Sequence, residues 1–289
     1  MTYPAVPPRP HQLTVDSSNT INANQEIWLP MTDQNIFGQG MVDITGNGHH
    51  ASIVDTSVTD QGSFIDTAKG ACFYSDPTNQ TDQAGLITDE LGIAISTSGG
   101  FTASIWAHPT EDNQPMMLWA SMNFSSGTGQ NFQCYRDSVA NRFAGYKKVS
   151  SKNVAYATHL TSSPKDSWYH VVTRLSSTGW TLWVDGSLAA TSTNTGSPNL
   201  NQSGDTLTIG RTGPDGQSQS GSGLMYGYLQ NFRLWSRDLS DSEIGQLFSD
   251  PWVGSSYTAS SGGGGTATTS YFKPIRWNKS EDGLNIRRL

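Results

Sequence analysis

Charge is scarce in this chain, and that scarcity removes whole classes of partner. Only 14% of the 289 residues are Asp, Glu, Lys or Arg, and the balance is acidic, −7 at pH 7. Nucleic acid is held by clustered Lys and Arg that displace counterions from phosphate. No basic stripe occurs, so no nucleic-acid partner is expected. Long apolar runs are also missing: nothing approaches the roughly 18 consecutive apolar residues of a membrane span, so no membrane is expected. The start, MTYPAVPPRPHQ, has no charged region followed by an apolar one, so no Sec signal is expected. Synthesis in a cytoplasm is the expectation. The two cysteines, Cys72 and Cys134, lie in strand-like runs. There a thiol behaves as a small buried hydrophobe, with a disulfide as the alternative.

What fills the chain is Gly, Ser, Thr, Asn and Gln around short apolar patterns, the composition of many strands joined by polar turns. In FTASIWAHP, Phe101, Ala103, Ile105 and Ala107 alternate with Thr102, Ser104, Trp106 and His108. WYHVVTRL sets Tyr169, Val171 and Leu175 against Trp168, His170 and Arg174. WTLWVDG sets Trp180, Leu182 and Val184 on one side and ends in Asp185-Gly186, a hairpin signal because a type I′ turn needs two positive φ angles. In GYLQNFRLW the apolar parity shifts between Leu229 and Phe232, which implies a bulge or two covered faces. One helix is expected over Leu239–Phe248, with Ser240 and Glu243 as a capping box and Asp250-Pro251 as its stop. Strands at this spacing make a sandwich or barrel.

The ends read differently. Residues 1–24 are Pro-rich, then polar, and are expected to form an extended arm. Residues 25–253 form the sandwich. Residues 254–289 hold a linker with four consecutive glycines, then a basic, aromatic tail with five basic and two acidic side chains. Tyr271, Phe272, Lys273, Ile275, Arg276, Trp277, Arg287 and Arg288 are the expected partner-binding residues. Apolar anchors with basic neighbours suit an acidic protein surface; the alternative is that the tail packs back on its own sandwich.

Taken together, the runs from Asp43 to His50, Phe101 to Trp106, Trp168 to Val172, Leu182 to Gly186, Leu207 to Arg211 and Gly227 to Leu247 resemble the laminin-G-like jelly roll of the concanavalin-A-like lectin and glucanase superfamily. The resemblance covers about residues 25–250 and implies an all-β fold, a two-sheet antiparallel jelly-roll sandwich of six or seven strands per sheet with the helix as an end cap. Its glycosidases draw their carboxylates from an E-x-D-x-E strand; this chain has none, and its five glutamates are dispersed. No G-x-S-x-G elbow or Cys/His set is present, so no catalysis and no required cofactor are expected. Related jelly rolls often hold calcium on loop oxygens, and Asp43, Asn47, Asp185 and Asp215 are the candidates of that type. Each also fits an ordinary turn. Aromatic side chains could stack on sugar rings.

The helix followed by Asp250-Pro251-Trp252 resembles the close of jelly-roll modules in bacteriophage structural proteins. That resemblance implies a virion location, with the major capsid protein or other virion subunits as partners and a homo-oligomer as the assembly state. Capsid decoration or a head fibre is the leading expectation, and a carbohydrate-binding module the alternative.

Overall fold

The computed structural model describes residues 13–31, 36–37, 40–54, 63–67, 70–75, 85–88, 100–123, 131–149, 152–159, 161–193, 205–211 and 224–257. The chain divides after Thr258, and the second unit, Ala259–Leu289, lies outside the described residues. In chain order the strands are β1 (Leu13–Val15), β2 (Gln25–Leu29), β3 (Ile36–Phe37), β4 (Gly40–Met41), β5 (Ala51–Val54), β6 (Ser63–Thr67), β7 (Gly70–Ser75), β8 (Gly85–Thr88), β9 (Phe101–Pro109), β10 (Met116–Asn123), β11 (Asn131–Arg136), β12 (Phe143–Val149), β13 (Lys152–Thr158), β14 (Tyr169–Ser176), β15 (Gly179–Val184), β16 (Ser187–Ser192), β17 (Asp205–Ile209), β18 (Gly227–Trp235) and β19 (Ser255–Tyr257). One α-helix, α1 (Asp241–Ser249), separates the last two.

Two antiparallel sheets face each other. The first runs β16-β15-β14-β9-β18-β7-β6 with β2 also paired to β18; the second runs β13-β12-β11-β10-β17-β8-β5-β4-β3. The chain is thus the jelly-roll sandwich its sequence implies, with eight and nine strands in place of six or seven. The surplus includes β3 and β4, of two residues each, too short to carry a periodicity.

The alternating residues meet between the sheets. Phe101, Ala103, Ile105 and Ala107 of β9, with Val171, Leu175, Trp180 and Leu182, pack against Trp119, Phe132, Leu207 and Ile209 of the second sheet. The Phe101 ring lies 5.8 Å from both Trp119 and Phe132. Each of the larger apolar side chains among them contributes about 1.5–3 kcal/mol by leaving water. Cys134 is in the same core as a free thiol, and burial pushes its pKa up. The side chain of Cys72 lies outside the described residues. In β18 the register against β9 slips between Gln230 and Arg233, with Asn231 at φ +54°, so Leu229, Phe232 and Leu234 all reach the core.

The outer face of the eight-stranded sheet is covered as well. Val172, Trp183 and Trp235 are buried beneath Leu239, Ile244, Leu247 and Ile21. The helix is held there by its N-terminal end: Ser240 Oγ accepts from the Glu243 amide, the Glu243 carboxylate accepts from the Ser240 amide, and Arg174 donates to Leu239 O and Asp241. At the other hairpin, Asp185 and Gly186 take φ of +51° and +72°, the turn their sequence calls for.

The expectation of an arm over residues 1–24 is corrected for its second half. Leu13–Val15 pairs with Ser255–Tyr257 as a two-stranded ribbon, Leu13 opposite Tyr257 and Val15 opposite Ser255. Thr20–Asn22 forms a turn of 3₁₀-helix whose Ile21 is buried. Residues 254–257 likewise belong to the folded body and not to a tail. The cause is long-range apolar pairing: Leu13 packs with Trp28 and Trp252, and Ile21 with Trp235 and Leu247. Residues 1–12 lie outside the described residues.

Candidate functional site

Of the loop carboxylates expected as cation ligands, Asp43 and Asp185 occupy separate places. Asp43 is buried, and its two oxygens accept from the amides of Trp28, Thr45 and His49 and from the Thr45 hydroxyl. Its own amide donates to His50 Nδ1. Asn47, in the same loop, turns its amide nitrogen to Gln25 O and Glu26 O. Asp185 sits in the β15–β16 hairpin and accepts from the His170 amide at 2.9 Å. Burial pushes the Asp185 carboxyl up, against the lowering effect of that amide. Asp43 and Asn47 share a loop that they organise, and Asp185 orders a hairpin. Asp215 lies outside the described residues, as do Tyr271, Phe272, Lys273, Ile275, Arg276, Trp277, Arg287 and Arg288.

A different constellation forms on the outer face of the eight-stranded sheet. Phe73, Leu229 and Ala107 point into the core, so alternation turns their neighbours Tyr74, Tyr228 and His108 to the opposite face. Register then sets these three in line: Tyr228 lies opposite Tyr74 on β7 and opposite His108 on β9. Trp168, the residue before β14, extends the line. Ring centroids are 4.8 Å apart for Tyr74–Tyr228, 5.2 Å for Tyr228–His108 and 5.4 Å for His108–Trp168. Trp168 is buried, while Tyr74, His108 and Tyr228 each keep part of their surface in solvent. At Gly227, φ is +135° and an added Cβ would stand 2.1 Å from the His108 carbonyl oxygen. The backbones of β18 and β9 therefore close tightly beside the row.

The next level towards the helix is sealed. Trp106 stacks on His170 at 5.0 Å, and Phe248 from the last turn of α1 stacks on Trp106 at 6.0 Å and on His170 at 6.1 Å. Beneath them Ser104 Oγ lies 2.8 Å from His170 Nε2. The pair has the spacing of a nucleophile and its base, but His170 is 1% exposed and Ser104 2%. Burial, reinforced by Arg233, pushes the His170 pKa down to about 3. A group so withheld from substrate and so weakly basic serves as an internal hydrogen bond of the sheet.

The nine-stranded sheet presents a smaller apolar group on its outer face, Met117 and Ala120 with part-buried Tyr135. At one rim, buried Arg136 ties three segments together, donating to Ser163 O, Glu111 O and the Asp112 carboxylate. Among the described residues no group of three or more His, Cys, Asp or Glu is placed to hold a metal ion.

The chain matches the family model of the concanavalin A-like lectin/glucanases superfamily over residues 79–245. No curated protein matches it. Among solved structures it is similar to domain 4 of AbnA, an extracellular arabinanase of Geobacillus stearothermophilus, in complex with arabinotriose. Identity there is 13%, with a TM-score of 0.57 over 78% of this chain and 98% of that domain. It is also similar to a mutant Trypanosoma rangeli sialidase displaying trans-sialidase activity (17% identity, TM-score 0.54, 81% of this chain and 34% of that one). A third likeness is to the receptor binding domain of botulinum neurotoxin D (13% identity, TM-score 0.53, 79% of this chain and 53% of that one). The chain thus spans about a third of the sialidase and half of the toxin domain, and at these identities the likeness is one of fold.

Proposed function

This chain belongs to the concanavalin A-like lectin/glucanases superfamily, and from that premise we propose that it is a non-enzymatic binding module of a bacteriophage virion, a capsid decoration or head-fibre protein held by the major capsid protein. The observation that carries the proposal is the ribbon. Because Leu13 stands opposite Tyr257, the points at which the flanking sequences join the folded body lie side by side, a strand spacing of roughly 5 Å apart. Those sequences hold the Pro-rich stretch and the basic aromatic stretch. Anchoring there leaves the rest of the sandwich free for display, and area buried against a shell stabilises the particle by mass action.

The test is direct. Particles purified through a density gradient are digested and searched for peptides of this chain, and purified chain ending at Tyr257 is compared with full-length chain for binding to shells that lack it. Presence on washed particles and loss of binding on truncation support the proposal. Absence from washed particles ends it.

A second reading, binding of glycans, is favoured by the part-exposed aromatic row and by the likeness of nearly the whole of an arabinanase domain solved with arabinotriose. A displayed sandwich can carry both roles. A glycan array with reproducible hits supports it, and an array with none removes it.

A further inference from the structure

We infer that the Tyr74–Tyr228–His108–Trp168 row is a stacking subsite for a neutral oligosaccharide, an inference that rests on the glycan-binding reading and gives it a place and a ligand class. Three features select this ligand. The first is geometry. Four rings, from β7, β18, β9 and the residue before β14, stand at successive centroid distances of 4.8, 5.2 and 5.4 Å. Neighbouring rings are tilted by 35°, 77° and 64°, so edges and faces alternate along a band across the strands. The apolar C–H faces of a pyranose or furanose pack on such rings, while phenol, imidazole and indole edges serve hydroxyls.

The second feature is charge. The four side chains of the row are two phenols, an imidazole and an indole, with no carboxylate or guanidinium among them. Aromatic faces match the C–H faces of a neutral sugar.

The third feature is rigidity with exposure. Elsewhere on this face the rings are sealed, Trp235 and Trp183 beneath the helix and Trp106 beneath Phe248. At Tyr74, His108 and Tyr228 the covering is incomplete. The strands beneath are pinned by register and by the close approach at Gly227, so little side-chain ordering remains to be lost on binding.

The test titrates the full chain with arabinotriose, xylohexaose and cellohexaose, followed by calorimetry and by the indole NMR signals. At least one of these is expected to bind and to move the Trp168 indole. Tyr228→Ala and Tyr74→Ala are each expected to weaken that ligand about five- to tenfold, by the loss of one stacked ring. Tyr228→Phe, which keeps the ring, is expected to retain most of the affinity. Tyr135→Ala on the other sheet is expected to change nothing. Should a variant fail to fold, the Trp168 shift in the unaltered chain still decides. Binding that neither alanine variant weakens, or that leaves the Trp168 signal still, overturns the site while glycan binding stands. Preference for heparin or sialyllactose overturns the neutral ligand class, and a glycan array without hits removes the reading on which the site rests.

Discussion

The Arg233 guanidinium lies 3.8 Å from the centre of the Trp28 ring, fully buried, with Trp235 at 4.9 Å. Among the described residues no carboxylate forms an ion pair with it. Its fork donates instead to Val253 O, Asn22 Oδ1 and Gln25 Oε1. One side chain of β18 thereby joins the segment before β2 to the segment after α1, the two pieces that frame the ribbon. Arginine suits the place because a planar fork can stack and donate in three directions at once.

Replacing it tests that role. Arg233→Met is expected to lower stability by about 2–4 kcal/mol, since one buried and two part-buried acceptors lose their donor. Arg233→Lys should recover only part, because an ammonium neither stacks flat nor reaches all three. Urea unfolding of both variants checks this; a loss below about 1 kcal/mol for the Met variant would show the clamp to be dispensable.

Acid should weaken the fold through His170. Its pKa is about 3 in the folded chain, from an ordinary 6.5, because burial disfavours the charged ring. Between those values the unfolded chain takes up a proton that the folded chain refuses. The stabilising contribution is therefore intact above pH 6.5 and lost as pH falls towards 3, by up to roughly 1.4 kcal/mol per pH unit. His170→Phe keeps the ring stack and removes the titration. It should be less stable at pH 7, where Ser104 loses its partner, and show a shallower fall between pH 6.5 and 4. An unchanged slope of the urea midpoint against pH would assign the acid sensitivity elsewhere.

The β15–β16 turn couples to the helix. Gly186 has φ +72°, and a Cβ there would stand 2.9 Å from the Phe248 ring. Gly186→Ala is expected to cost about 1–2 kcal/mol and to shift the NMR signals of Trp106 and His170, the rings on which Phe248 rests. If only the turn residues respond, the coupling is absent.

Cys134 is enclosed in the core with its thiol pKa raised by burial, so the nucleophilic thiolate is suppressed. Iodoacetamide at pH 8 should leave the Cys134 peptide unmodified in the folded chain and modify it fully in 6 M guanidinium. Peptide mass mapping distinguishes the two, and rapid native labelling would place the thiol outside the core.

Much of the fold is legible in local pattern. Alternation in β9, β14 and β15, the Asp185-Gly186 turn and the Ser240–Glu243 capping box each concern residues a few positions apart. The parity shift in β18 also announces both of its causes, a register slip at Asn231 and a second covered face. What escapes is set by distance in the chain. Leu13 to Val15 carry no period of their own and become a strand only because Ser255–Tyr257 lies beside them. Polar Ser104 and His170 look solvent-facing in sequence, yet Trp106 and Phe248 close over them. The aromatic row draws on positions 74, 108, 168 and 228, which only the register of three strands brings into line. Its one local trace is the placing of Trp168 and His108 on the face opposite the alternating core residues.

The ribbon also decides how this protein would yield to force. A pull that separates the sequences flanking Leu13 and Tyr257 meets an antiparallel pair from its open end, and so peels three residue pairs one after another instead of shearing them together. Behind the ribbon stand the Asn22 amide, which donates to Gly254 O, and then the Arg233 fork. A weak first step followed by a firmer one is the expected trace in a single-molecule pulling experiment. The ribbon acts as a mechanical fuse, lengthening the tether before load reaches the sandwich.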